Sequence, residues 1–145
     1  MRSFIAFFGL VYALSAPAAL QELQTVNDFE NLVDNSRVPV IVQFSAYWCG
    51  PCKQLTAVMQ RVASSYSASQ VQIAKVDAHV NSSLRTYLKG GYPTVRVFFK
   101  GSVSDTKYFA GSQTESFVRN YINDAISNPL EEVLWEADRG AYCVE

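Results

Sequence analysis

Histidine occurs once in the 145 residues, at His79, and cysteine three times, at Cys49, Cys52 and Cys143. That scarcity argues against a zinc site, which needs a second Cys-x-x-Cys or two histidines beside the first. It also excludes a disulfide-stapled scaffold, because one close pair and one distant cysteine make no framework. Charge of one sign is never concentrated: 12 basic and 13 acidic residues are mixed along the chain and leave a net charge of −1. No basic block suggests a nucleic-acid partner, and no acidic tail suggests a disordered arm. No apolar run approaches the ~18 residues that argue for a spanning helix. Internal repeats and low-complexity segments are absent. What remains is an apolar fraction of 49% in a length that suits one ordinary domain.

The start of the chain stands apart. MRSFIAFFGLVYALSAPAALQ has one Arg, an apolar run from Phe4 to Leu14 and small residues ending in Ala16-Pro17-Ala18. These are the three parts of a secretory signal peptide, with cleavage expected after Ala18. The alternative is an uncleaved anchor, which would be the one route to a membrane. Residues 1–18 therefore read as a leader, 19–127 as one domain, and 128–145 as a helical extension with a loose tail carrying Cys143.

Within the domain, Asn27 to Asn35 reads as a short helix capped by Asn27 or Asp28. VPVIVQFSA, Val38 to Ala46, is a β-rich run of the kind buried on both faces of a sheet. Cys52 to Tyr66 carries Leu55, Val58, Met59, Val62 and Ala63 at helical spacing, and Val71 to Ala78 reads as the next strand. A strand–helix–strand unit implies a parallel pair. Then come a short helix from Ser82 to Leu88, ended by Gly90-Gly91, and a hairpin of Pro93–Gly101 with Lys107–Ala110. A helix capped by Thr114 follows, and Leu130 to Ala137 suggests one more. Gln21 to Val26 could add an edge strand. The fold class is α/β: a central mixed β-sheet with helices on both faces.

AYWCGPCK, Ala46 to Lys53, sets Cys49 at a strand-to-helix junction. There the unpaired backbone N–H groups and the positive end of the helix stabilise a sulfur anion. The thiolate is the attacking species in disulfide exchange. Cys52 lies one turn into the helix and can reach back. Cys49 is thus the candidate nucleophile and Cys52 the resolving thiol. Gly50 and Pro51 make the turn, and Pro51 fits the first helical turn without losing a hydrogen bond. Trp48 offers an apolar contact surface.

WCGPCK after a buried strand resembles the motif of the thioredoxin superfamily, and the resemblance runs from about Gln21 to Ile126. Its second mark is GGYPTV, Gly90 to Val95. The resemblance implies a cis proline at Pro93 facing the cysteines, with the backbone of Tyr92 pairing an extended substrate segment. Gly111 matches a glycine bordering the substrate groove, and Lys53 completes the motif. GYPTVRVFFKG and KYFAGSQT are more similar to protein disulfide isomerase catalytic domains, which usually carry CGHC; Pro51 replaces that His and implies a more reducing pair. The family's buried acid on the strand before the motif is Gln43 here, which hydrogen-bonds but takes no proton. Lys75 matches the lysine beside that acid and is expected to stand as an unpaired cation. The arginine that isomerase domains often place after the hairpin is replaced by Ser112 and Gln113.

The function implied is protein thiol–disulfide exchange without a cofactor, with protein disulfides or dithiols as substrates and a redox partner for recycling, in a secretory-route lumen. The alternative is a non-catalytic scaffold or assembly subunit. Asn81-Ser82-Ser83 fits the N-glycosylation pattern, with a helix N-cap as the other reading of Asn81. His79 reads as a surface residue, and Phe98, Phe99, Tyr108 and Phe109 as core and sheet face. Cys143 could bond another chain, cap the active pair or do nothing.

Overall fold

The computed structural model describes residues 15–99, 102–110, 113–127, 135–136 and 143–144, with 102–110 and 135–136 described by their backbone. In chain order these are β1 (Leu20–Leu23), α1 (Val26–Asn35), β2 (Val40–Ser45), α2 (Gly50–Ala63), β3 (Gln72–Asp77), a 3-10 helix (Ser82–Tyr87), β4 (Thr94–Phe99), β5 (Ser102–Ala110), α3 (Glu115–Ser127) and β6 (Trp135–Glu136). The strands form one mixed sheet in the order β1-β3-β2-β4-β5-β6. β2 runs parallel to β3 and antiparallel to β4.

Every residue of β2 is buried, and its side chains divide between two cores by the two-residue period of a strand. Ile41 joins Leu55, Met59, Val62, Tyr121 and Ile122 of α2 and α3 on one face. Val40, Val42 and Phe44 join Phe29 and Val33 of α1 and Leu84 of the 3-10 helix on the other. The second core is aromatic at its centre. Phe29 meets Phe98 edge-on at 5.2 Å between ring centroids, and Phe44 stacks on Tyr87 at 5.3 Å. Phe98 is core as expected and Phe99 half-buried; the side chains of Tyr108 and Phe109 lie outside the described residues.

Two expectations change. The cap of α1 is Thr25, not Asn27 or Asp28: its hydroxyl accepts from the Asp28 N–H at 3.1 Å, and the Asp28 carboxylate accepts from the Thr25 N–H at 2.9 Å. This reciprocal box satisfies two N–H groups that a cap one residue later would leave open. Across Leu130–Ala137, Trp135–Glu136 form a strand parallel to β5 instead of a helix. The pairing covers a sheet edge that would otherwise expose its backbone groups. The rest of that stretch lies outside the described residues, as do residues 1–14. At the small-residue end of the segment read above as a leader, Pro17 bridges Ser67, the Ala18 N–H donates to the Tyr66 carbonyl at 2.8 Å, and Ala18 is buried. Among the described residues, no helix is long and apolar enough to cross a membrane.

Thr25→Ala is expected to cost about 1 kcal/mol in urea unfolding, with Asn27→Ala within about 0.5 kcal/mol of wild type. Equal losses in the two variants would overturn the capping assignment.

Candidate functional site

β2 ends at Ser45 and α2 begins at Gly50, so the Trp48–Cys52 turn lies directly off the most buried strand of the sheet. Cys49 is the N-cap of α2, with extended backbone, and Pro51 stands in the first turn. Because Pro51 has no N–H and the first turn needs none, the helix starts here without loss. Both thiols are free and buried, whereas Gly50 and Lys53 are exposed. Trp48 is 38% exposed and meets Tyr92 and His79 edge-on, each at 5.7 Å between centroids. His79, expected at the surface, is half-buried and helps fix the face of the turn.

The Gly90-Gly91 turn brings the second motif to the same place. Gly90 has φ 85°, in the left-handed region that favours glycine. The Tyr92–Pro93 peptide bond is cis. Buried Thr94 holds the turn, donating to the Gly91 carbonyl at 2.7 Å and accepting from the Lys89 N–H at 3.1 Å. The Cys49 thiol donates to the Tyr92 carbonyl at 3.5 Å.

Tyr92 is already paired. Its N–H donates to the Cys143 carbonyl at 2.7 Å, and its carbonyl accepts from the Cys143 N–H, an antiparallel bridge. The expected looseness of the tail does not hold at Cys143. Its side chain packs against the buried cluster that holds Cys49, Cys52 and Tyr92. Gly111 and Ser112 lie outside the described residues.

Beneath the turn, Gln43 is fully buried. Its amide donates to the Cys52 carbonyl at 3.0 Å and accepts from the Thr56 hydroxyl at 3.2 Å. Thr56 also donates to the Cys52 carbonyl at 2.8 Å. The four-residue helical spacing of Cys52 and Thr56 carried that signal in the sequence, and it was missed. Lys75 is not an unpaired cation: its ammonium pairs with Glu22 at 3.3 Å. Lys75 lies opposite Gln43 on one side and Glu22 on the other, a partnership that only strand register reveals. Lys75 and Glu22 border an open groove that also reaches Cys52 and Thr56. The Asn81 amide donates to the Gln24 and Asp77 carbonyls at 3.2 and 3.0 Å and makes no cap bond, so a glycan on this nitrogen would take the place of one of the two donating hydrogens. Among the described residues, no group of three or more His, Cys, Asp or Glu is arranged to hold a metal ion.

A family model described as Thioredoxin matches residues 20–124. The chain is 34% identical over 100 residues to protein disulfide isomerase-like 2-2 of Oryza sativa subsp. japonica, covering 68% of this chain and 27% of that protein. It is 34% identical over 148 residues to a protein disulfide-isomerase of Aspergillus niger, covering 94% of this chain and 28% of that protein. The chain thus spans under a third of the length of these curated relatives. Among solved structures, the first thioredoxin domain of mouse protein disulfide-isomerase A4 matches with a TM-score of 0.62 at 27% identity, over 83% of this chain and 84% of that one. Malassezia sympodialis thioredoxin matches with a TM-score of 0.62 at 23% identity, over 80% and 98%, which speaks for the fold alone.

Burial, the hydrogen bond with Cys49 and the charge of the neighbouring sulfurs push the Cys52 thiol well up; the Ala46 backbone opposes this. Burial and the Cys49 contact push Cys143 up to about 11. In the unfolded chain a cysteine titrates near ~8.5. Above that pH the unfolded chain releases protons that the folded chain keeps, so stability is full below ~8.5 and falls as pH rises past it. The urea midpoint of the reduced protein is expected to drop between about pH 8 and about pH 10, and Cys52→Ser to flatten the drop. An equal slope in both proteins would show that Cys52 does not hold its proton.

Proposed function

The chain belongs to the thioredoxin family, and from that premise we propose that it catalyses thiol–disulfide exchange on protein substrates, with Cys49 as nucleophile and Cys52 as resolving thiol. The observation that carries this reading is the placement of Cys49 at the start of α2, its thiol directed at the Tyr92 carbonyl beside the Pro93 turn. Cys49 attacks a substrate sulfur, forming a mixed disulfide and releasing the first substrate thiolate. Cys52 then attacks Cys49, closing Cys49–Cys52 and releasing the second thiol. Trp48 and the Tyr92–Pro93 backbone line the groove in which an extended segment pairs with Tyr92; Gly111 is proposed for the same groove on the resemblance alone. The leader, and relatives named as disulfide isomerases, support work in a secretory-route lumen with a partner that resets the pair.

Gln43 sets the character of the reaction. Resolution needs the buried Cys52 to lose a proton, and the amide below it cannot take one. The acid at the edge of the same row, Glu22, is mostly solvent-exposed and engaged with Lys75. Proton removal therefore runs through water in the groove bordered by Lys75, Glu22 and Thr56, and resolution is the slow step.

Cys49→Ser is expected to abolish insulin-disulfide reduction, and Cys52→Ser to accumulate mixed disulfides visible on non-reducing gels. Full turnover by Cys49→Ser would overturn Cys49 as the nucleophile, and absence of turnover in the wild-type chain would replace this reading with that of a non-catalytic subunit. Gln43→Glu is expected to speed decay of the mixed disulfide by about 10-fold or more, the lower range of a positioned base. An unchanged decay in a folded variant would mean that the proton does not leave through position 43. The direction of electron flow is read from the Cys49–Cys52 potential against glutathione. A value near about −270 mV marks a reductant, and one near about −180 mV marks disulfide formation or reshuffling; Pro51 favours the first.

A further inference from the structure

We infer that Cys143 is a third exchange thiol, held by its own backbone in the strand position of a substrate and poised to form a Cys49–Cys143 disulfide that closes the groove. The inference rests on Cys49 being the exchanging thiol. It goes beyond that reading because two backbone hydrogen bonds and one side-chain contact converge on the same residue.

Tyr92 offers one N–H and one carbonyl to an extended partner, and Cys143 takes both. The Tyr92 carbonyl also accepts from the Cys49 thiol. Cys143 N–H and Cys49 Sγ thus share one acceptor, which places the two residues side by side. The Cys143 side chain packs on the cluster that holds Cys49, Cys52 and Tyr92, and the neighbouring Cys49 sulfur adds to the burial that raises its thiol pKa. The exposed Val144 follows. An incoming substrate strand needs the same two groups of Tyr92, so substrate and the Cys143 segment exclude each other.

Starting from the oxidised pair, Cys143 gives up its proton and its thiolate attacks Cys49 Sγ. The Cys49–Cys143 bond forms and the Cys49–Cys52 bond breaks. Cys52 leaves as a thiolate and takes up a proton. No electrons leave the protein, and no external oxidant is needed. The oxidised chain then holds its own segment in the groove until a reductant or a competing thiol opens it.

The test uses the full chain carrying Cys52→Ser, reduced, equilibrated with a glutathione redox buffer and quenched with acid. The expected product has lost two hydrogens by intact mass, with Cys49 joined to Cys143 by peptide mapping. It should dominate over glutathione-bound Cys49 at about 1 mM reduced glutathione, because a tethered thiol acts at millimolar effective concentration or above. Glutathione on Cys49 with Cys143 left as a free thiol overturns the inference and leaves the exchange reading standing. Cys49 that accepts neither partner overturns both. Because Cys52→Ser could disturb the buried cluster, Cys143→Pro supplies a second measurement in a chain that retains Cys49 and Cys52. Proline removes the thiol and the N–H that Tyr92 accepts, and insulin reduction should rise by about five-fold, the factor one lost hydrogen bond is worth. A rate equal to wild type would show that Cys143 does not occupy the groove.

Discussion

Strand β2 is paired along both edges and covered on both faces, and the position of the redox turn follows from that constraint. A strand buried this completely has one register available, because a one-residue slip would exchange the Ile41 and Gln43 face with the Val42 and Phe44 face. With β2 held, the chain leaving Ser45 has four residues in which to turn before α2 begins. Cys49 must then sit at the helix start and Cys52 one turn inside. The reactive geometry comes from a rigid strand and a rigid helix, which keeps the sulfur positions reproducible.

The same burial explains the chemistry beneath the turn. Glu22, Lys75 and Gln43 form a row across β1, β3 and β2. In this row the acid lies at the sheet's edge and the amide at its centre. A carboxylate at position 43 would be fully desolvated, a cost that an amide with two hydrogen-bond partners avoids. Gln43 holds the α2 start through the Cys52 carbonyl, and the exchange proposed above has no carboxylate at that position. Lys75 pairs with Glu22 at the groove wall, where solvent reaches both.

The Tyr92 carbonyl ties the two halves of the site together. It receives the Cys49 thiol from one side and the Cys143 N–H from the other. A backbone acceptor has two lone pairs, so both contacts coexist. Cys143 packs on the cluster of Cys49 and Cys52 and bridges Tyr92, where the motif alone promised two sulfurs.

Much of the fold was legible in local pattern. The continuous β-rich run of Val38 to Ala46 announced a two-face-buried strand, the helical spacing from Leu55 to Ala63 announced α2, and Gly90-Gly91 before Tyr92-Pro93 announced the turn. The cysteine pair was legible because its spacing and its neighbours are consecutive in the chain. Other features depend on residues far apart in sequence. Glu22 meets Lys75 only through the β1–β3 register, and β6 arises because β5 offers an open edge. Cys143 meets Tyr92 only through a backbone bridge between distant parts of the chain. Sequence by itself determined the elements and the reactive pair, since both rest on near-neighbour spacing. Tertiary structure decided which charge answers Lys75 and which thiol faces Cys49, since backbone pairing at long range carries no local mark.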